Sequence, residues 1–157
     1  GLFVAGSAST GMHGADALPG LNTSYNFCSG EEAGIRAAKQ SLKGNAVPEQ
    51  SQIEAESTRL VTRVSAGASA KEAGELEARI RDAMWRGAGP VRDAKGLQGV
   101  LLELEKIAAE LASLRAGSLA ELRGVLEAEN LARVGAMVCN AALDRKQSCG
   151  QHQRTDF

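Results

Sequence analysis

Aromatic residues are scarce in this chain: one Trp, one Tyr and three Phe among 157 residues. A core must therefore be assembled from Leu, Ala, Val and Ile, side chains that suit helix-on-helix packing. Cysteines number three, Cys28, Cys139 and Cys149. They are too few and too scattered for a disulfide framework or a C-x-x-C metal site, and reduced thiols in a cytoplasmic protein are the expectation. Charge of one sign does not dominate: 18 Lys and Arg stand against 19 Asp and Glu, a formal net charge of −1. Nothing electrostatic recommends nucleic acid or an anionic membrane as a partner. No apolar run approaches the roughly 20 residues that cross a bilayer, so no membrane insertion is expected. No basic-then-apolar signal segment opens the chain.

What is present is an ordinary globular balance, 43% hydrophobic and 24% charged residues, split into two unlike halves. The first thirty or so residues are rich in Gly, Ser, Thr and Asn. Leu2-Phe3-Val4-Ala5, bounded by glycines, predicts a short buried strand. Gly11, Gly14 and Gly20 punctuate a loop that exposes backbone N–H groups to any ligand. Ser29 as N-cap, with Glu31 and Glu32 in the first turn, predicts a helix from Ser29 to about Leu42, stopped by Gly44. A second helix is expected over Glu49–Val64, with a narrow stripe of Ile53, Leu60, Val61 and Val64.

From Ser69 the pattern turns strongly helical. Leu76, Ile80, Ala83 and Met84 share one face, until Gly87, Gly89 and Pro90 break the helix. Val100, Leu101, Leu104, Ile107, Ala108, Leu111 and Leu114 form a second stripe at spacings of three and four. Gly117 ends it, and Ser118 with Glu121 reads as a capping box. Leu119, Leu122, Val125, Leu126, Leu131, Val134, Met137, Val138 and Ala141 form a third. Short loops between three such helices imply antiparallel neighbours in a bundle. Trp85, beside Met84, is read as packing rather than a stacking platform. Glu72, Glu75, Glu77, Arg79 and Arg81 read as a solvated face with helix-spaced pairing.

Candidate chemistry is sparse. His13, beside Asp16 in H-G-A-D, has the residue type to bind an anionic substrate or move a proton. The Gly6–Gly11 run fails the phosphate-loop tests: it is not G-x-G-x-x-G, and no Lys-Ser/Thr pair follows. The helix start at Ser29 offers free N–H donors and a positive dipole end. Cys149 has Arg145, Lys146 and His152 near it in sequence, but no resolving cysteine. A zinc site at Cys149 and His152 lacks further ligands.

Several of these segments carry a resemblance. G-L-F-V-A-G (Gly1–Gly6) followed by H-G-A-D (His13–Asp16), with glycines at Gly30 and Gly34, resembles the late FAD-domain segment of the succinate dehydrogenase, fumarate reductase and L-aspartate oxidase flavoprotein family. That segment reads G-L-[YF]-A-x-G-E, H-G-A-N-R-L and F-G-x-x-A-G. Met84-Trp85 and Gly89-Pro90-Val91-Arg92 look like the family's M-W-x-x-V-G-I-V-R. Asn130-Leu131, Arg145–Ser148, Gly150, His152 and Asp156-Phe157 look like its N-L…R-K-E-S-R-G-x-H…D-[YF]. The helical half is nearest L-aspartate oxidase, and Phe27–Gly30 also resembles the F-S-S-G of adenylylsulfate reductase, more weakly.

The resemblance implies a mainly α chain. A C-terminal three-helix bundle would be preceded by the last strand, loop and helix of an FAD-binding α/β domain. Residues 1–44 would be the remnant of that domain, 45–68 a linker and helix, and 69–157 the three-helix domain with an extended tail. It implies FAD as cofactor, and Gly6, Ser7, Leu21, Asn22 and Thr23 as flavin contacts. His13 would bind a small carboxylic acid substrate, and the partner would be an N-terminal FAD-binding portion or companion chain. It departs from the family where Ser7 replaces the acidic residue after A-G, where Asp16-Ala17 replaces Asn-Arg, and where Cys149 replaces Arg. The family's pyrophosphate loop and proton-donating arginine have no counterpart among these residues. The expected function is the C-terminal part of an FAD-dependent oxidoreductase moving a hydride between flavin and a small acid, inactive alone. The alternative is a non-catalytic helical module, or a subunit that docks a flavoprotein partner.

Overall fold

A computed structural model describes residues 2–9, 20–44 and 47–157. The chain falls into two compact units, Gly1–Ile53 with Cys149–Gln151, and Glu54–Ser148 with His152–Phe157. In the first unit a 3-10 turn at Gly6–Ala8 is followed by helix α1 (Leu21–Ser41). Helix α2 (Gln50–Val61) crosses the division between the units. The second unit holds α3 (Glu72–Gly87), β1 (Val91–Arg92), α4 (Ala94–Ser113), α5 (Leu119–Asp144) and β2 (Gln153–Arg154).

Two expectations for the first unit fail. Leu2–Ala5 forms no strand, and Leu2 is 93% exposed. A strand needs a neighbour to satisfy its backbone groups, and the only strand pair among the described residues is β1 with β2. Helix α1 begins at Leu21, not Ser29. Gly20 is its N-cap, in a left-handed conformation (φ +84°) open to glycine, and it has no side chain to cap with. Ser29 is a mid-helix residue whose hydroxyl bonds back to Tyr25 O at 2.5 Å. The stop is as expected, at Ser41 with Gly44 at φ +104°.

The second unit is built around three helices, as the apolar stripes imply. Leu76 and Ile80 of α3, Leu97, Val100, Leu104, Ile107 and Leu111 of α4, and Leu122 and Val125 of α5 are buried. Asp93 caps α4 by accepting Gly96 N–H at 2.6 Å. Ser118 caps α5 by accepting Glu121 N–H at 3.2 Å. The return arm of the capping box is redirected: the Glu121 carboxylate takes Gly117 N–H at 3.0 Å and Ala70 N–H at 2.9 Å. Those two donors hold its carboxyl below the usual range. They also tie the start of α5 to the segment before α3.

The core stripe of α5 differs from the one expected. Beyond Val125 the buried positions are Ala128, Ala132, Gly135, Cys139 and Ala142. The larger Val134, Met137 and Val138 face outward, as do Leu119 and Ala141. Small residues at spacings of three and four let α5 approach α3 and α4 closely. A Cβ on Gly135 would lie 3.1 Å from Met84 Sδ and 3.2 Å from Leu104 Cδ1. Periodicity favours the bulkier residues, whereas the packing selects the smaller set. Trp85 is likewise 78% exposed rather than packed.

The charged face is paired as expected in part. Arg81–Glu77, Arg86–Asp82 and Arg123–Glu127 are one-turn pairs on exposed surface, where water and salt screen them and each contributes little. Arg79 instead reaches across, to Glu110 at 2.8 Å and Glu103 at 2.7 Å on α4.

Gly117 is required by a close approach. A Cβ there would lie 2.3 Å from Ala68 O, a backbone atom with little room to yield. Gly117→Ala should therefore destabilise the unit by about 2 kcal/mol, read as a lower denaturation midpoint in urea. A midpoint within error of wild type would show that the 65–68 turn moves aside freely.

Candidate functional site

The candidate flavin contacts all lie in the first unit. Gly6 opens the 3-10 turn at φ +61°, a left-handed conformation that favours glycine. Its N–H donates to Ser29 Oγ at 2.9 Å, and its carbonyl accepts from Ser9 N and Ser9 Oγ at 3.0 and 2.9 Å. Both backbone groups of Gly6 are thus engaged, the carbonyl within the turn and the N–H by Ser29 of α1. Ser7 is next on the turn and exposed. Leu21, Asn22 and Thr23 form the first turn of α1, all exposed. No acidic side chain occupies that turn and no side chain caps it. Among the described residues no side chain accepts from its amides, which are donors at the positive end of the helix dipole. His13, Asp16 and Ala17 lie outside the described residues.

Sequence reasoning missed one set of residues in this unit. Tyr25 and Ser29, one turn apart on α1, are both half-buried and both engage the Gly6–Ser9 turn. The available signal was two hydroxyls at i and i+4 on a polar helix.

The second unit offers grooves but no catalytic constellation. One, of about 390 Å3 between α3 and α5, is lined by Met84, Trp85, Leu131, Val134 and Val138, with Arg81 as its only charge. Another, of about 580 Å3 between α4 and α5, carries Arg59, Arg133, Glu105 and Glu129 over an apolar floor. Among the described residues no group of three or more His, Cys, Asp or Glu is placed to hold a metal. Cys139 is fully buried, 3.9 Å from Met84 Sδ, and burial pushes its thiol pKa up. A buried, protonated thiol is a poor nucleophile. His152 Nε2 lies 2.9 Å from Arg145 O, so that nitrogen carries the proton. No helix among the described residues is long and apolar enough to cross a membrane.

The tail is structural. β2 pairs in parallel with β1, Val91 with Gln153 and Arg92 with Arg154. Arg154 is 5% exposed and points at the C-terminal end of α5, where it donates to Ala142 O, Leu143 O and Arg145 O.

Residues 77–157, from mid-α3 through this tail, match the family described as fumarate reductase flavoprotein C-term. The chain belongs to the succinate dehydrogenase and fumarate reductase flavoprotein family. Likeness extends over both units. The chain is 32% identical, over 99% of its length, to one subunit of the fumarate reductase (CoM/CoB) of Methanothermobacter marburgensis. It is 28% identical, over its whole length, to the fumarate reductase flavoprotein subunit of Haemophilus influenzae. Its fold matches a chain of the Mycobacterium smegmatis Sdh1 complex in the apo form, with a TM-score of 0.79 and 26% identity over 98% of this chain. The chain spans 29% and 28% of the two curated relatives and 27% of the solved chain. FAD is the cofactor carried by this flavoprotein family.

Proposed function

We propose that this chain is the C-terminal part of an FAD-dependent oxidoreductase that moves a hydride between flavin and a small carboxylic acid. It works with an N-terminal FAD-binding portion, joined to it or supplied as a companion chain. The observation that carries the reading is likeness to flavoprotein subunits over both units, against less than a third of each relative's length. The finer likeness to L-aspartate oxidase rests on sequence motifs alone.

The first unit fits a flavin edge. The uncapped first turn of α1 gives open N–H donors at Leu21, Asn22 and Thr23, and such donors suit an electron-rich carbonyl. Gly6 would serve by close approach, because its N–H is taken by Ser29 and its carbonyl by Ser9. Ser7 would offer a hydroxyl where the family has a carboxylate, and His13 would meet the substrate. FAD, when bound, supplies the hydride acceptor and donor. The chain's own residues orient it and screen it from water.

The test is reconstitution. The isolated chain should purify without flavin colour and show no dye reduction with small carboxylic acids. Joined to or mixed with the FAD-binding portion, it should give a yellow complex with that activity. A flavin-loaded, active isolated chain would overturn the reading. So would a reconstituted complex that excludes FAD.

A further inference from the structure

Among the described residues the Gly6–Ser9 turn has no buried apolar anchor. Leu2 and Val4 beside it are exposed, and α1 buries no residue. Hydrogen bonds to one face of α1 hold it instead. Ser29 Oγ accepts Gly6 N–H at 2.9 Å and donates its own proton to Tyr25 O at 2.5 Å. Ser9 Oγ donates to Gly6 O at 2.9 Å and lies 2.7 Å from Tyr25 OH. A serine has one proton, so Tyr25 OH is the donor in that last pair. Every proton in the set then has one acceptor. Asn26, on the same face, closes the remaining space, since a Cβ on Gly6 would lie 2.8 Å from its Oδ1.

We propose that Tyr25 and Ser29 are positioning residues for the flavin: they latch the Gly6–Ser9 turn onto α1 and so hold Ser7, which the turn carries, in place for the cofactor. The proposal rests on the FAD reading above. Tyr25 holds the far end of the turn through Ser9, and Ser29 holds the near end through Gly6. With either bond gone, the turn must be ordered when the cofactor binds, and the ordering cost is drawn from binding. The apolar core lies in the second unit, so loss of the latch should leave the main thermal transition in place.

The experiment uses the full flavoprotein carrying this segment, with Tyr25→Phe, Ser29→Ala and Ser29→Thr variants. FAD affinity is measured by titration, alongside the visible band of the bound flavin, the Tm and the amide exchange of Gly6. Tyr25→Phe and Ser29→Ala should each weaken FAD binding about five- to tenfold, shift the flavin band and leave Tm unchanged. Ser29→Ala should also speed Gly6 exchange, and Ser29→Thr should restore all three readouts. Wild-type affinity and spectrum in both Tyr25→Phe and Ser29→Ala, on a parent that binds FAD, would overturn this proposal alone. A parent that binds no FAD would overturn the FAD reading and this proposal with it.

Discussion

Glu129→Ala should destabilise the helical unit by about 3 kcal/mol. Arg63, in the segment after α2, is 7% exposed. Its Nη1 lies 2.7 Å from Glu129 Oε1 and its Nη2 donates to Leu111 O at 2.8 Å. Its Nε is buried without a hydrogen-bond partner. The guanidinium is thus already under-satisfied, and Glu129 is its only neutralising charge among the described residues. Without that carboxylate a cation stays buried against one carbonyl, and desolvation is no longer offset.

The same argument gives the control. In Arg63→Met/Glu129→Leu both charges disappear together, and only Leu111 O loses a partner. That double variant should lie within about 1 kcal/mol of wild type, because apolar replacement of a buried pair is close to neutral. Denaturant melts of the wild type, Glu129→Ala and the double variant decide it. A Glu129→Ala loss below about 1 kcal/mol would mean that water reaches Arg63. The local consequence should be visible too: Ala116 N–H donates to Arg63 O at 2.8 Å and Val64 bridges Ala116, so amide exchange at Ala116 should accelerate in the single variant.

Neither buried arginine was legible in the sequence, because no periodicity marks a charge that will be buried. What was legible follows from patterns with few solutions. The α4 stripe of Val100, Leu104, Ile107 and Leu111 admits one helical face, and that face is buried. Ser118 with Glu121 signals a cap, and the cap forms on its Ser118 side. The errors arise where two readings share one pattern. On α5 the stripe of large residues and the stripe of small ones both repeat at three and four, and close helix approach selects the small one. At Leu2–Ala5 an apolar run spells a strand, but strand formation depends on a neighbour the run does not specify. At α1 the serine and two glutamates look like a start. The actual start at Leu21 lacks any side-chain cap, because its N-cap is glycine. The candidate site was legible through family motifs rather than local physics. The latch of Tyr25 and Ser29 was hidden, because its geometry depends on a turn 16 and 23 residues away.

The second large effect is expected at Arg154. Besides its three helix-end carbonyls, Arg154 forms a two-pronged pair with Asp156, at 2.8 Å on both oxygens. Asp156 Oδ2 in turn accepts Ala94 N–H at 2.9 Å, at the start of α4. One arginine and one carboxylate thus close the C-terminal end of α5 and the N-terminal end of α4 together, each end met by the charge its dipole favours. The Phe157 ring sits against the guanidinium, 4.9 Å from its carbon, which adds a cation–π contact. Arg154→Met should lower the Tm of the helical unit by roughly 10 °C. Arg154→Lys should recover little of that, because an ammonium cannot keep the fork to Asp156 and also reach the carbonyls. The pH dependence separates this clasp from simple packing. Arg154, and secondarily Ala94 N–H, hold the Asp156 carboxyl well below the usual carboxylate range. A depressed folded-state pKa contributes stability that is complete above the unfolded value of about 3.9 and is lost as pH falls toward the folded one. The Tm gap between wild type and Asp156→Asn should therefore be constant above about pH 5 and narrow below it. A gap that does not change down to pH 2 would show that Asp156 acts through shape and not through its charge.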